Sequence, residues 1–544
     1  MTEGPLKTLN RFEEDSDTLI EAESNDPITR SILGQAEAYV IFKVFFSQCH
    51  PHAPFLDASF DSNPDHVRTG STLLFLAILS IGARFWSAPS RISCWLHPRY
   101  PELVRLLDAE IMRVTLRPRQ MDHTLQTVQA LILYAHWMPL DVSSSGEQYR
   151  SRFSEAGAWH CMGLAIRWAV SLDLERSCCD TFQHPEKIAR VDARRFRTLL
   201  YLYESDCYLA LSARRPYSLN PEPLNQVLAS FNSCKYVQPT DKRLVALFQI
   251  AHCAHLTDCR PITTESVEAF DRYVQLVEQE FNGSHDHTTS SKDDSMSRHF
   301  PFTSLRWYRL SYTCAFLDSA ADQNQTQTHW VREALSWAVG WASQILLHLS
   351  TPLARGGDAT ISGTRLNPDP GIVHVMAFTI DHYYVVISYA VFLLVNSWLR
   401  NLIDYDLHEC SSRQHAGNAA VKQSSTRDPC TSLLYRLVDL AARTLEEASP
   451  PQGHLARRYV PLLRGMADIV ASHDPQHFSN LNPRGTSANL ASVPGAQDTG
   501  ANLDDAQNYT NLDEDIWGMW RQAGLEPINW PIFPDFLDLQ GNVL

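Results

Sequence analysis

Apolar residues return at steps of three and four along most of the chain from Ser31 onward. In "LQTVQALILYAHWM" the residues Leu125, Val128, Leu131, Ile132 and Ala135 fall on one helical face. In "SVEAFDRYVQLVEQEF" Val267, Phe270, Val274, Val277 and Phe281 do the same, with acids opposite. The spacing recurs in "PELVRLLDAEIMRVTL" from Pro101 and in "SLLYRLVDLAARTLEEAS" from Ser432. Long runs of the period-two alternation of strands are absent, so the pattern predicts an all-α fold. These amphipathic faces have no cores of their own and must cover one another, which predicts one large helical body over residues 31–472.

The periodicity stops where Gly, Ser, Asn, Asp and Pro gather, in stretches beginning at Asn282, Ser350 and Ser411. Such residues interrupt regular structure and read as long surface loops. From His473 to Gln507 large apolar residues almost vanish, so residues 473–507 read as a disordered linker. The run from Tyr383 to Trp398 is short of the ~20 apolar residues a membrane span needs. It reads as a buried core helix, and no membrane partner is expected.

Composition changes the picture mainly at the ends. The 544 residues carry a net charge of −15. Met1 to Arg30 holds eight acids against three bases, and Ala491 to Leu544 nine acids against one. Residues 1–30 read as a flexible acidic terminus without heptads or a secretory signal. Nucleic-acid binding needs basic surface that displaces counterions, so direct contact with DNA by this chain is disfavoured.

Candidate chemistry is sparse. The chain has no G-x-S-x-G elbow, H-E-x-x-H, phosphate-binding loop or dinucleotide fingerprint. "KDDSMS" at Lys292 lacks the third carboxylate of a terpene-cyclase metal run. His50 with His52, His252 with His255, and His285 with His287 are close pairs, but each lacks obvious third and fourth ligands. The twelve cysteines form no Cys-x-x-Cys pair and read as reduced thiols. No catalytic residue, metal or cofactor is expected.

One window is more specific. "DARRFRTLLYLYESDCYLALSARRPYSLNPE" resembles the middle homology region of fungal binuclear-zinc-cluster transcription factors. That family's pattern runs from an arginine pair through a W/L-rich helix and an aspartate to a turn ending Gly-Arg-Pro. Arg194 and Arg195 match the pair, Asp206 the acid, and Arg215 with Pro216 the end, while Arg214 stands where glycine is usual. Two earlier segments agree in order. "EAYVIFKVFFSQCHPHAPFLDASF" is similar to the opening helix and its His-Pro turn, and "YRSRFSEAGAWHCMGLAIRWAVSLDLERS" to the central helix. The matches span Gln35 to Leu228. Read physically, a buried Asp206 needs a cation or hydrogen-bond donors, and Arg215 is a candidate partner. These five residues are expected to hold the fold together.

The resemblance implies a nuclear transcription regulator of nutrient-use or secondary-metabolite genes. Members usually carry six zinc-binding cysteines ahead of this region, whereas the first cysteine here is Cys49. The chain is therefore expected to act without its own DNA-binding domain, through a DNA-binding partner protein, or with an upstream exon that restores the cluster. A small-molecule effector is a possible partner, and a helical sensor or scaffold is the alternative reading. An all-α enzyme ranks third. Finally, residues 508–544 set Trp517, Trp520, Trp530, Phe533 and Phe536 among acids. Charge keeps such aromatics solvated and able to enter a shallow groove on a coactivator, which makes this tail a candidate activation segment.

Overall fold

The computed structural model describes residues 25–87, 95–142, 149–213, 215–258, 263–283, 306–317, 328–351, 365–408, 429–449 and 454–472. The acidic terminus before residue 25, most of the three interhelical breaks, His285 with His287, the linker and the aromatic tail lie outside them. Among the described residues there are eighteen α-helices and one small β-ribbon, so the fold is all-α. The described body begins at Asn25, ahead of the expected Ser31. Asp26 pairs with Arg68 at 2.6 Å, and the Asn25 side-chain amide donates to Glu110 at 2.8 Å.

The N-terminal half is built from α1 (Gln35–Val44), α2 (Ala58–Asp61), α3 (Pro64–Gly70), α4 (Thr72–Arg84), α5 (Tyr100–Leu116), α6 (Leu125–His136) and α7 (Glu155–Ser171). Oxygen-bearing side chains start several of these helices by accepting orphan amide hydrogens. Ser71 caps α4 at Leu74 N–H, Ser154 caps α7 at Gly157 N–H, and Asp57 caps α2. Every residue of α4 from Leu73 to Arg84 is buried. A helix apolar on all sides must be surrounded, and α1, α5 and α6 pack around it. Gly82 permits the approach of α1. A Cβ there would sit 2.4 Å from the Ile41 carbonyl oxygen of α1. Helix α1 widens at its end into a π-helical turn, Phe45–Cys49, which leads into the turn His50–His52 holding Pro51.

A two-stranded antiparallel ribbon, β1 (Leu140–Val142) with β2 (Tyr149–Ser151), interrupts the helices. Three residues per strand are too few for alternation to register in sequence. After it come α8 (Leu174–Phe182), α9 (Arg190–Ala213), α10 (Glu222–Ser233), α11 (Asp241–Asp258) and α12 (Thr264–Gly283). Residues 306–317 form α13. The last group is α14 (Thr328–Leu347), α15 (Pro370–Met376), α16 (His382–Leu399), α17 (Leu433–Ala448) and α18 (Ala456–Ser472).

Helix α16 is the second central element. It is long and apolar enough to cross a membrane by length and composition, yet 89% of its apolar window is buried inside the fold. Helices α14, α17 and α18 cover it. The N- and C-terminal groups are stitched by polar contacts. Asp381 N–H donates to the His136 carbonyl at 2.9 Å, and Trp137 Nε1 to the Thr379 carbonyl at 3.1 Å. Arg84 pairs with Asp381 at 2.9 Å, with side chains 3% and 0% exposed. One hydrophobic core runs from Leu33 to Val470.

Candidate functional site

Helix α9 carries the sequence window singled out above. Its arginines Arg190, Arg194 and Arg197 stand four and three residues apart, so they share one face. Each meets a carboxylate from another segment. Arg190 holds Asp57 through two hydrogen bonds of 2.7 and 2.9 Å. Arg194 donates to Asp61 at 2.6 Å, with its guanidinium 4.5 Å from the centre of the Phe60 ring. Arg197 grips Asp241 at 2.5 and 2.8 Å, both side chains being 1% exposed. The ladder locks α9 to α2 and to the start of α11.

The electrostatics follow the burial. Desolvation alone would raise Asp57, but Arg190 and Ser59 outweigh it and hold the carboxyl at about 2. Asp61 is displaced the other way, since its burial exceeds the help from Arg194. Arg195, the second member of the sequence pair, points differently. It is partly exposed and its nearest carboxylate, Asp192, lies 3.7 Å away.

The expected Asp206–Arg215 pair does not form. Asp206 accepts the backbone N–H groups of Ser218 at 2.8 Å and Leu219 at 3.1 Å, so it fastens the turn after α9. Burial raises its carboxyl, and those amides oppose the rise. Backbone donors, and not the candidate cation Arg215, satisfy this buried acid, because the chain doubles back within reach of it. Arg215 lies instead over the Trp159 ring at 5.7 Å, and Pro216 is exposed. Arg194, Asp206 and the turn thus act as struts, while Arg195 and Arg215 face outward.

The two histidine pairs within the described residues do not converge on ligand sets. His50 Nε2 bonds the Leu56 carbonyl at 3.1 Å, His252 meets Glu222 at 3.0 Å, and the His255 ring packs edge-on to Tyr217. Among the described residues no group of three or more His, Cys, Asp or Glu is disposed to hold a metal ion.

Two further groupings have no local sequence signal. A buried polar cluster centres on Glu155, whose carboxyl is pushed up to about 7 by burial and lies 3.9 Å from His382 Nδ1. Among the described residues neither His382 ring nitrogen has a hydrogen-bond partner, and the ring sits 3.9 Å from that of Tyr208. A half-open groove of about 290 Å³ lies between α12, α13 and α14, with Phe270, Trp337 and Trp341 in its walls. Its buried cation Arg309 is already met by Asp271 at 3.1 Å, Glu278 at 3.6 Å and the Trp341 ring at 4.2 Å. The tail aromatics Trp517, Trp520, Trp530, Phe533 and Phe536 lie outside the described residues.

Comparison with known proteins places this architecture. The family model described as "Fungal specific transcription factor domain" matches residues 42–338. "Protein priB" of Lentinula edodes is 23% identical over 255 residues, which is 46% of this chain and 37% of that protein. The similar stretch therefore spans little more than a third of that relative. No solved structure matches.

Proposed function

The chain belongs to the fungal specific transcription factor domain family, and from that premise we propose that it regulates transcription through its helical body and its acidic-aromatic tail. The family match over more than half the chain carries this reading. The body serves as the regulatory part, in the nucleus, and its targets are nutrient-use or secondary-metabolite genes. No six-cysteine cluster occurs within these 544 residues. Contact with DNA is accordingly assigned to a partner protein, or to a segment outside the residues given. No catalytic step is part of the reading.

The tail supplies activation. Acids hold Trp517, Trp520, Trp530, Phe533 and Phe536 in water until a coactivator groove takes them up. Fused to an unrelated DNA-binding domain, residues 508–544 should activate a reporter. Replacing the five aromatics by alanine should abolish the signal, and replacing the acids should weaken it. An inert fusion, with a lower melting temperature for the full chain once the tail is removed, would assign the aromatics to the core instead. A second reading, a helical small-molecule sensor, is favoured by the half-open groove between α12, α13 and α14.

A further inference from the structure

Helix α5 has two apolar sides, and the described residues cover only one of them. Leu103, Val104, Leu107 and Val114 are buried against the body. Arg105, Ala109, Met112 and Leu116 recur at steps of four, three and four, so they share a second face, and all four are exposed. Met112 and Leu116 are 62% and 71% exposed, and Met121, in the turn Gln120–Asp122 just beyond the helix, is 73% exposed. Arg113 draws that turn back onto α5 by holding Asp122 at 2.6 Å. Single apolar residues at a surface are ordinary, whereas three long ones gathered at one helix end form a patch.

The rim of the patch is basic. Arg105, Arg117 and Arg119 are exposed, and the carboxylates around them are already committed, Glu102 to Arg99, Asp108 to Arg152, and Glu110 and Asp122 to Arg113. An occupant of this face has to bring apolar side chains and negative charge together. A second copy of the same face fails that condition, because it sets arginine against arginine. Residues 12–24, "FEEDSDTLIEAES", meet it, with Phe12, Leu19 and Ile20 among six acids and no base.

This segment also starts from the right place. Asn25, the residue after it, is fixed by its hydrogen bond of 2.8 Å to Glu110 on α5. At 3.6 residues per turn Glu110 stands about 200° around the helix from Met112. The five residues 20–24 can span about 17 Å when extended, more than the ~10–12 Å width of a helix. Such a short tether keeps the local concentration of the segment on the order of mM. The C-terminal tail is acidic as well, but it joins the body through the whole of residues 473–507, and effective concentration falls steeply with tether length.

We propose that residues 12–24 dock across the exposed face of α5, with Leu19 and Ile20 on Met112, Leu116 and Met121 and with their carboxylates at Arg105, Arg117 and Arg119. The acidic terminus is then a tethered cover over a docking surface, and a partner that uses this face has to displace it. The inference goes beyond the transcription reading, and its test uses no reporter.

The photo-reactive residue p-benzoylphenylalanine, placed at Met112 in the full chain, identifies the occupant once its cross-links are mapped by mass spectrometry. They should fall on residues 12–24 and drop about threefold or more at 1 M salt, where charges are screened beyond about 3 Å. Mixing isotopically light and heavy chains should show both ends of each cross-link in one copy. With about 1 mM local concentration and an intrinsic Kd of about 0.1 mM, the segment is docked roughly nine-tenths of the time. A glutamate-specific protease should therefore cut after Glu21 about tenfold faster in the Arg105→Glu, Arg117→Glu, Arg119→Glu variant than in the wild type. Leu19→Ser with Ile20→Ser, on the other side of the contact, should speed cutting similarly, and helical circular dichroism should be unchanged in both. Cross-links to residues 508–544, to the other copy or to no segment overturn the proposal. Equal cutting of the wild type and both variants overturns it as well.

Discussion

Replacing Asp381 by alanine asks whether the N- and C-terminal helical groups melt as one unit. The carboxylate meets Arg84 at 2.9 and 3.3 Å, and the two residues are 297 apart in sequence. Its removal leaves a guanidinium in a dry interior, with the Met138 carbonyl at 3.4 Å as the remaining acceptor among the described residues. Breaking a buried pair from one side costs about 3–5 kcal/mol, because the surviving charge is neither solvated nor paired. Unfolding entropy is about 2 cal/mol/K per residue, so a unit of roughly 400 residues changes by ~0.8 kcal/mol/K and should lose about 4–6 °C in Tm. Were the C-terminal group to melt alone, with about a third of that entropy, the same loss would lower one of two transitions by more than 10 °C. Scanning calorimetry of the full chain separates the cases. We expect a single endotherm lowered by about 5 °C, and substantial recovery in the Arg84→Met, Asp381→Leu double variant, where no buried charge remains. A shift below about 1 °C, or a split endotherm with only one part displaced, would falsify the argument.

Gly82→Ala places a methyl group 2.4 Å from a backbone oxygen that cannot rotate away, so it should destabilise by about 1–3 kcal/mol in urea titration despite the better helix propensity of alanine. A neutral or stabilising result would show that α1 shifts without loss. Glu155 ionises near 7 in the fold against an ordinary value of 4.5, so the unfolded chain sheds this proton first and stability from this group falls as pH rises through that interval. Glu155→Gln should consequently exceed the wild type by about 3 kcal/mol at pH 8 and match it near pH 4.5; equal melting of the two at both pH values would refute this. His50, His136 and His454, lowered by burial to about 4, 3 and 3, work in the opposite sense and should dominate the acid limb below pH 6.5.

The helical fold was legible because its signal is local. Val128, Leu131, Ile132 and Ala135 on α6 are all buried, as are Val267, Phe270, Val274 and Val277 on α12. The helix read from Tyr383 to Trp398 lies inside the core, as its composition predicts. The arginine window was also visible, but its partners were not. Asp57, Asp61 and Asp241 carry no mark in sequence that they close on α9, although the spacing of Arg190, Arg194 and Arg197 announces a shared face. Of the two partners open to a buried Asp206, a cation or hydrogen-bond donors, the fold supplies the donors, from Ser218 and Leu219, in place of the candidate Arg215. The Arg84–Asp381 pair is made by chain segments brought together only in three dimensions. No spacing rule reaches across 297 residues.

The recognisable family stretch ends at residue 338, inside α14, which runs from Thr328 to Leu347. Helix α16, which lies beyond that point, packs against α14 and is buried along nearly its whole length. The boundary visible to inheritance therefore cuts through a physical object. A fragment trimmed at residue 338 would present to solvent the apolar bed on which α16 rests. Such a fragment should be sticky when expressed alone, and its poor solubility would reflect the missing cover rather than a defect in the domain.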